Sequence, residues 1–488
     1  MRQNNPLSNL PQQWREDLLP HIQEQIRDSR RKVIVLDDDP TGTQTVHDVP
    51  VLTEWSVETL CTELAGDLPA FYLLTNSRSL PLSRAQALNA EIGRNLTHAA
   101  ESAGSDFALV SRSDSTLRGH FPGEVESLAR ALQVDFDAWI LIPFLQEGGR
   151  YTINDIHYVA EGERLVPVGD TVYARDATFG YRASDLRQWV EEKTEGRVSA
   201  KSVASISIDD IRCGGPDRVS ERLMSLPRGC ICVVNAASMR DLEVFVRGLL
   251  TTEARGRRFL YRTAASFVQV RAGIAPRPLL TRADLELPEY GGALFVVGSH
   301  VPKTTEQVER LLDQPDVVGV EMDVKALFGQ LRLKEIERAA REVNQGLHRR
   351  HTVVLYTGRA IVIGDNGDTS LFIGQRISES IVAAVRAVSE RPRYLLAKGG
   401  ITSSDVATAS LDVKRATVRG QILPGVPVWQ LGTESRYPGL VYIVFPGNVG
   451  APDALTQIAG MLGSAGETDT SVASQAPDNV LSRNPDAH

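Results

Sequence analysis

Cysteine is scarce in this chain of 488 residues: there are four, at Cys61, Cys213, Cys230 and Cys232. None belongs to a CxxC pair, so neither a thiolate metal cage nor a disulfide framework is expected, and the thiols suit a reducing compartment. A basic excess is missing as well. The 53 Lys and Arg against 61 Asp and Glu leave a net charge of -8, and without a positive field a protein does not gather nucleic-acid phosphates. No apolar run approaches the length of a membrane span, and the stretch from Met1 to Gln13 is polar, with no secretory h-region. The expectation is a cytoplasmic protein whose partners include neither nucleic acid nor membrane. Three motifs are also absent: GxxxxGK(S/T), a GxGxxG that opens a helix, and histidines at metal-ligand spacing on a helix. P-loop chemistry, a standard dinucleotide site and a helix-borne metal centre are therefore disfavoured.

What is present is a soluble composition, 42% hydrophobic and 23% charged, on a chain too long for one ordinary core. Short apolar runs at Val33–Leu36, Phe71–Leu74, Phe107–Val110, Trp139–Ile142 and Cys230–Val234 alternate with helical patterns. In one of these, Leu88, Ile92, Leu96 and Ala99 share a face. A second set follows at Leu294–Val297, Val317–Met322, Val353–Tyr356, Tyr394–Ala397 and Val441–Phe445. This predicts an α/β fold of two domains, each with a largely parallel sheet flanked by helices. The expected division is an N-terminal extension (1–30) with a helix around Trp14 to Ile26, a first domain (31–270), a Pro/Gly-rich linker (271–292), a second domain (293–463), and a disordered polar tail (464–488).

In parallel sheets ligands gather at the carboxyl ends of the strands. The first strand ends in Asp37-Asp38-Asp39, the second in Thr75-Asn76-Ser77-Arg78, the third in Ser111-Arg112-Ser113-Asp114 and the fourth in a Gly-hinged loop from Gln146 to Arg150. One sheet edge would thus carry acids, hydroxyls and arginines, a composition suited to a small polyhydroxylated anion. The densest piece is Arg112-Ser113-Asp114-Ser115-Thr116-Leu117-Arg118-Gly119; Gly149-Arg150 through Asn154 adds to it, whereas Tyr173-Ala174-Arg175-Asp176 reads more easily as an internal Arg–Asp pair. In the second half, Gly298-Ser299, Lys398-Gly399-Gly400-Ile401-Thr402-Ser403 and Pro446-Gly447-Asn448-Val449-Gly450 each end a strand. Glycine lets backbone amides approach an anion closely, and three such loops at one edge favour a nucleotide cradle.

These residues resemble the four-carbon acid sugar kinase family. The likeness runs through Asp38, Asp39, Thr41 and Gly42, then Ser77-Arg78, Asp114 to Gly119, Pro143-Phe144, Gly149-Arg150, Thr152, Asn154, Tyr158-Val159 and Ala174-Arg175-Asp176. It continues through Gly298-Ser299, Gly399 to Ser403, Pro424 to Pro427 and Gly447 to Gly450, in the family's order over about residues 32–460. The resemblance implies an acid-sugar-binding first domain, an ATP-binding second domain and phosphorylation of a sugar acid's terminal hydroxyl. It implies ATP contacts at Ser299, Gly399 to Thr402 and Gly447, beside which Lys398 is a further candidate.

Candidate sugar-acid contacts are Asp38, Arg78, Arg112, Ser113, Asp114, Ser115, Arg118, Arg150 and Asn154. The base is sought among Asp38, Asp39 and Asp114, with Asp38 preferred. Mg2+ is expected because it bridges nucleotide phosphates and keeps several waters. A sugar-acid dehydrogenase or isomerase, and a non-catalytic sugar-acid-binding regulator, stay open as other readings, as do the choice of acid and assembly into a homodimer.

Overall fold

The computed structural model describes residues 6–299, 301–358 and 367–463; the polar tail expected at 464–488 lies outside them. Its first strand, β1 (Lys32–Asp37), is buried along its whole length. That explains its unbroken apolar run, since a central parallel strand is covered on both faces. Val33 and Val35 enter one core cluster while Ile34 and Leu36 enter another on the opposite side. Beside it run β2 (Val49–Leu52), β3 (Ala70–Leu74), β4 (Phe107–Arg112) and β5 (Ala138–Ile142). A small antiparallel meander follows, β6 (Arg150–Ile153), β7 (Ile156–Glu161) and β8 (Arg164–Pro167), and then β9 (Ala204–Ile206), β10 (Cys230–Val234) and β11 (Phe259–Thr263).

The second half supplies β12 (Ala293–Val297), β13 (Val317–Met322), β14 (Thr352–Thr357), β15 (Tyr394–Lys398), β16 (Arg415–Leu423), β17 (Val426–Leu431) and β18 (Val441–Phe445). Each half has its predominantly parallel sheet: β2-β3-β1-β4-β11-β5-β10-β9 in the first, and β13-β14-β12-β15-β18 with the antiparallel pair β17-β16 in the second. The two halves also share an edge. β2 pairs antiparallel with β16 from Val49↔Val418 to Leu52↔Arg415, so the ladder is continuous from one half to the other.

Some elements differ from the sequence expectation. The first α-helix is Leu19–Ser29 and does not begin at Trp14, because Pro20 falls in its first turn, the place where a missing N–H costs nothing. The strand β11, absent from the sequence reading, lies in the middle of the first sheet between β4 and β5. The stretch after Arg271 is laid along β16, where the Leu280 N–H donates to the Gln421 carbonyl at 2.7 Å. Among the described residues no helix is long and apolar enough to cross a membrane.

Candidate functional site

A cavity of about 790 Å3 opens where the strand ends of the two halves face each other, within the size range of small-molecule sites. The first half lines it with Asp38, Asp39, Arg78, Arg112, Asp114, Ser115, Arg118 and Arg150, and the second with Ser299, Gly399, Gly400, Ile401, Thr402 and Gly447. Most of the residues singled out from sequence therefore meet in one place.

The acid end is built on the turn after β1. Asp37 points back into the protein: its carboxylate takes a hydrogen bond from Arg112 Nη1 at 3.0 Å and is 1% exposed. Burial pushes it up to about 7 despite Arg112, with the negative neighbours Asp38 and Asp39 adding to the rise. Gly42 is required here, because a Cβ at that position would collide with the Asp37 carboxylate. Asp38, 3% exposed, accepts from Ser113 Oγ through Oδ2. Its Oδ1 receives no hydrogen bond among the described residues, and the cations near it are Arg78 at 3.5 Å and Arg112 at 3.9 Å. Asp39 caps the 3-10 turn Pro40–Thr43, accepting from Thr41 N at 2.8 Å and Thr41 Oγ1 at 2.6 Å. Burial would raise it, but the Arg78 guanidinium and the Thr41 donors outweigh burial and hold it below the usual carboxylate range.

Arg78 links the acids: it pairs with Asp39 and lies 3.8 Å from Asp114. Asp114 in turn takes Arg118 Nε at 2.6 Å and the Thr116 hydroxyl. Against its burial, Arg118 and Arg78 hold the Asp114 carboxyl well below its ordinary value. Asp176 faces Arg118 Nη1 at 3.6 Å, so the expected internal Arg175–Asp176 pair is replaced by a contact across the cavity wall. Tyr173 lies under two guanidinium groups, with Arg118 Cζ 5.1 Å and Arg150 Cζ 5.6 Å from its ring centre. His157 is buried behind Ser115, bonded to its carbonyl at 2.8 Å and to Thr152 Oγ1 at 2.9 Å. Burial lowers it to about 4, which keeps it neutral as a support for the loop.

The opposite wall is made of glycines whose hydrogens are needed. A Cβ on Gly298 would collide with Thr402 Oγ1, one on Gly447 would sit 3.1 Å from Ser299 Oγ, and Gly399 has φ +113°. Thr304 Oγ1, 3.1 Å from the Gly447 carbonyl, ties the first and third loops together. The helix Gly400–Asp405 starts at this wall, and its first N–H groups have no intrahelical acceptors. The two walls nearly touch: a Cβ on Gly400 would meet Asp39 Oδ2 at 3.0 Å.

Three sequence candidates do not line the cavity. Ser113 stands behind Asp38. Asn154 (φ +52°) and Asp155 (φ +65°) form the two-residue turn of the β6–β7 hairpin, and Asn154 is exposed; both backbones are left-handed, as a type I′ turn demands. Lys398 is fully buried, with Nζ donating to the Pro446 carbonyl at 2.8 Å and over the Phe445 ring at 3.9 Å. Burial, with Lys303 nearby, lowers its amine to about 7. Gln44, Asn76, Glu147, Tyr173, Phe179, Gly425 and Asn448 line the cavity without having been singled out as contacts. Asn76, Glu147, Tyr173, Gly425 and Asn448 lie inside stretches already marked, which is the signal the sequence carried for them. Among the described residues no group of three His, Cys, Asp or Glu side chains could cage a metal ion.

Comparison with known proteins divides the chain in the same way. Residues 33–271 match the family model described as a sugar-binding N-terminal domain, and residues 294–455 match that of a nucleotide-binding C-terminal domain. No curated protein matches the chain. Among solved structures, Haemophilus influenzae protein HI1011, of the DUF1537 family, is 19% identical, with 88% of this chain and 100% of that one covered and a TM-score of 0.59. A Salmonella typhimurium LT2 protein, provisionally described as a tRNA synthase, is 16% identical, with 88% and 98% covered and a TM-score of 0.63. At these identities the likeness is one of fold.

Proposed function

The chain belongs to the four-carbon acid sugar kinase family, and from that premise we propose that it is an ATP-dependent kinase phosphorylating a hydroxyl of a small sugar acid such as threonate, erythronate or a 3-oxo-tetronate. The observation that carries this reading is the meeting of the two walls, an acid–arginine cluster against a glycine cradle, with Asp39 beside Gly400. Phosphoryl transfer asks mainly for positioning and charge neutralisation, and a cavity lined by both walls supports a reading in which acceptor and donor bind side by side.

In this reading Asp38, whose Oδ1 is buried and left without a hydrogen bond by the protein, orients the acceptor hydroxyl and takes its proton. Ser113 fixes the other oxygen. Arg78 sits between Asp38, Asp39 and Asp114, where its charge opposes the negative charge that gathers at the acceptor. Ser299, the amides of Gly400 to Thr402 and Gly447 hold the nucleotide's phosphates, while Gly399, whose own N–H donates to the Phe445 carbonyl at 2.8 Å, lets the backbone turn close to them. The donor set fits Mg2+ only as an ion brought in by those phosphates, because no cage of three acids exists among the described residues. Asp39, against Gly400, is the acid that would meet it, and the ion supplies charge neutralisation when bound.

An ADP-release assay with ATP and Mg2+ against C4 and branched C5 sugar acids, 3-oxo forms included, tests the proposal. One strong substrate is the expected result. No turnover together with no ATP binding would overturn it.

A further inference from the structure

We propose that Arg150 reads the carboxylate of the sugar acid and so sets the preference for an acid over a neutral polyol. This rests on the kinase reading above and adds a specificity-determining residue to it. Arg78 is shared among Asp38, Asp39 and Asp114; Arg112 belongs to Asp37; Arg118 belongs to Asp114 and Asp176. Arg150 differs. Among the described residues it has no carboxylate at ion-pair distance, its Nε is buried without an acceptor, and its one side-chain hydrogen bond is a long one of 3.4 Å to the Tyr173 hydroxyl. Glu147, three residues earlier, turns to Ser266 Oγ at 3.3 Å. An arginine cannot shed its proton to escape such a place, so a partly desolvated guanidinium without an anion is stabilised by a ligand that brings one.

The side chain is also held ready. The Arg150 N–H and carbonyl both bond Leu145, at 2.9 and 3.1 Å, closing the Gly-hinged loop at its base. The Tyr173 ring centre lies 5.6 Å from the guanidinium carbon and its hydroxyl takes a long bond from Nη2, so with Nε buried it is Nη1 and the second Nη2 hydrogen that remain as a fork for a planar, bidentate acceptor. Both a carboxylate and a nucleotide phosphate have that chemistry. The order of contacts favours the carboxylate: from Gly400 the chain runs through Asp39, Arg78, Asp114, Arg118 and Tyr173 to Arg150. Along this path five residues separate Arg150 from Gly400, whereas Asp39 meets Gly400 directly.

The experiment compares wild type, Arg150→Gln and Arg150→Lys, using threonate and erythronate against the neutral threitol and erythritol. Steady-state kinetics at saturating ATP, the KM for ATP, and calorimetric binding of each acid are measured. In R150Q the KM and Kd for the acid rise about 10- to 100-fold, the scale of a lost charge-assisted fork. The KM for ATP stays within about twofold, and the acid-to-polyol preference collapses; R150K, with the charge but not the fork, falls between. A melting temperature close to wild type, together with retained ATP binding, shows that the variants are folded. An unchanged acid KM, or a rise confined to the KM for ATP, overturns the assignment. Calorimetry keeps it separate from the kinase reading: acid binding that weakens in R150Q supports Arg150 even if wild type turns over no acid, whereas a wild type that neither binds nor phosphorylates any acid overturns both.

Discussion

Trp429 donates its indole N–H to Thr43 Oγ1 at 3.0 Å, across the seam between the two halves of the chain. Both residues are buried, and Thr43 closes the same short turn that begins at Asp39 and Pro40. The acid cluster is therefore fixed from two sides, by β1 beneath it and by β17 of the other half. Trp429→Phe removes the donor and, with a smaller ring at a fully buried position, some packing volume as well. Leaving a buried hydroxyl without its partner costs about 1–3 kcal/mol. The expected outcome is a lower melting temperature in thermal unfolding together with a lower kcat, because Asp38 and Asp39 lose their stop; a kcat equal to wild type would detach the seam from the chemistry.

Asp38→Asn removes the proposed base and retains the hydrogen bond to Ser113 in altered form. Loss of a general base lowers turnover by about 10^2–10^4. Single-turnover measurements should show that loss in kcat, with ATP affinity close to wild type because Asp38 lies on the sugar-acid wall. A near-normal kcat would move the base to Asp39 or Asp114.

Gly298→Ala and Gly42→Ala probe the two walls separately. The methyl at 298 meets Thr402 Oγ1 and the methyl at 42 meets the Asp37 carboxylate. Each forces neighbours aside, an overpacking effect of about 1–3 kcal/mol. G298A should raise the KM for ATP about tenfold or more and spare acid binding measured alone; G42A should lower kcat with a smaller effect on ATP. The opposite assignment of effects would exchange the roles of the two walls.

Much of this site was legible in the sequence for one reason: each functional cluster directly follows a short apolar run, and a parallel sheet brings such ends to one edge. Asp38, Arg78, Asp114 and the loop from Gly399 to Thr402 were found that way. The same reasoning failed where direction, and not position, decides. Lys398 follows its strand as the glycines do, yet its amine turns to the Pro446 carbonyl. Asn154 looks like any polar loop residue until two consecutive left-handed backbones reveal a hairpin turn. Long-range pairing was hidden altogether. β11 finds its neighbours more than a hundred residues earlier, and β2 meets β16 across the whole span between the halves.

Lys398 gives the pH dependence. Its amine is lowered from 10.5 to about 7 by burial, so between those values the unfolded chain carries a proton that the folded chain has released. With more protons bound in the unfolded state, stability rises with pH through that window. The buried charge is most costly below about pH 7, and its cost fades as the amine becomes neutral. Lys398→Met removes this titration while other groups remain common to both proteins. The difference in melting temperature, wild type minus K398M, should therefore grow in favour of wild type from about pH 7 toward pH 10. The Pro446 carbonyl loses its Lys398 donor in the variant and the Gly447 carbonyl keeps only Thr304 Oγ1 among the two side-chain donors it has here, so its KM for ATP should rise at every pH. A melting difference that is flat or shrinking over that range would mean that the amine keeps its proton in the fold, held by those carbonyls and the Phe445 ring.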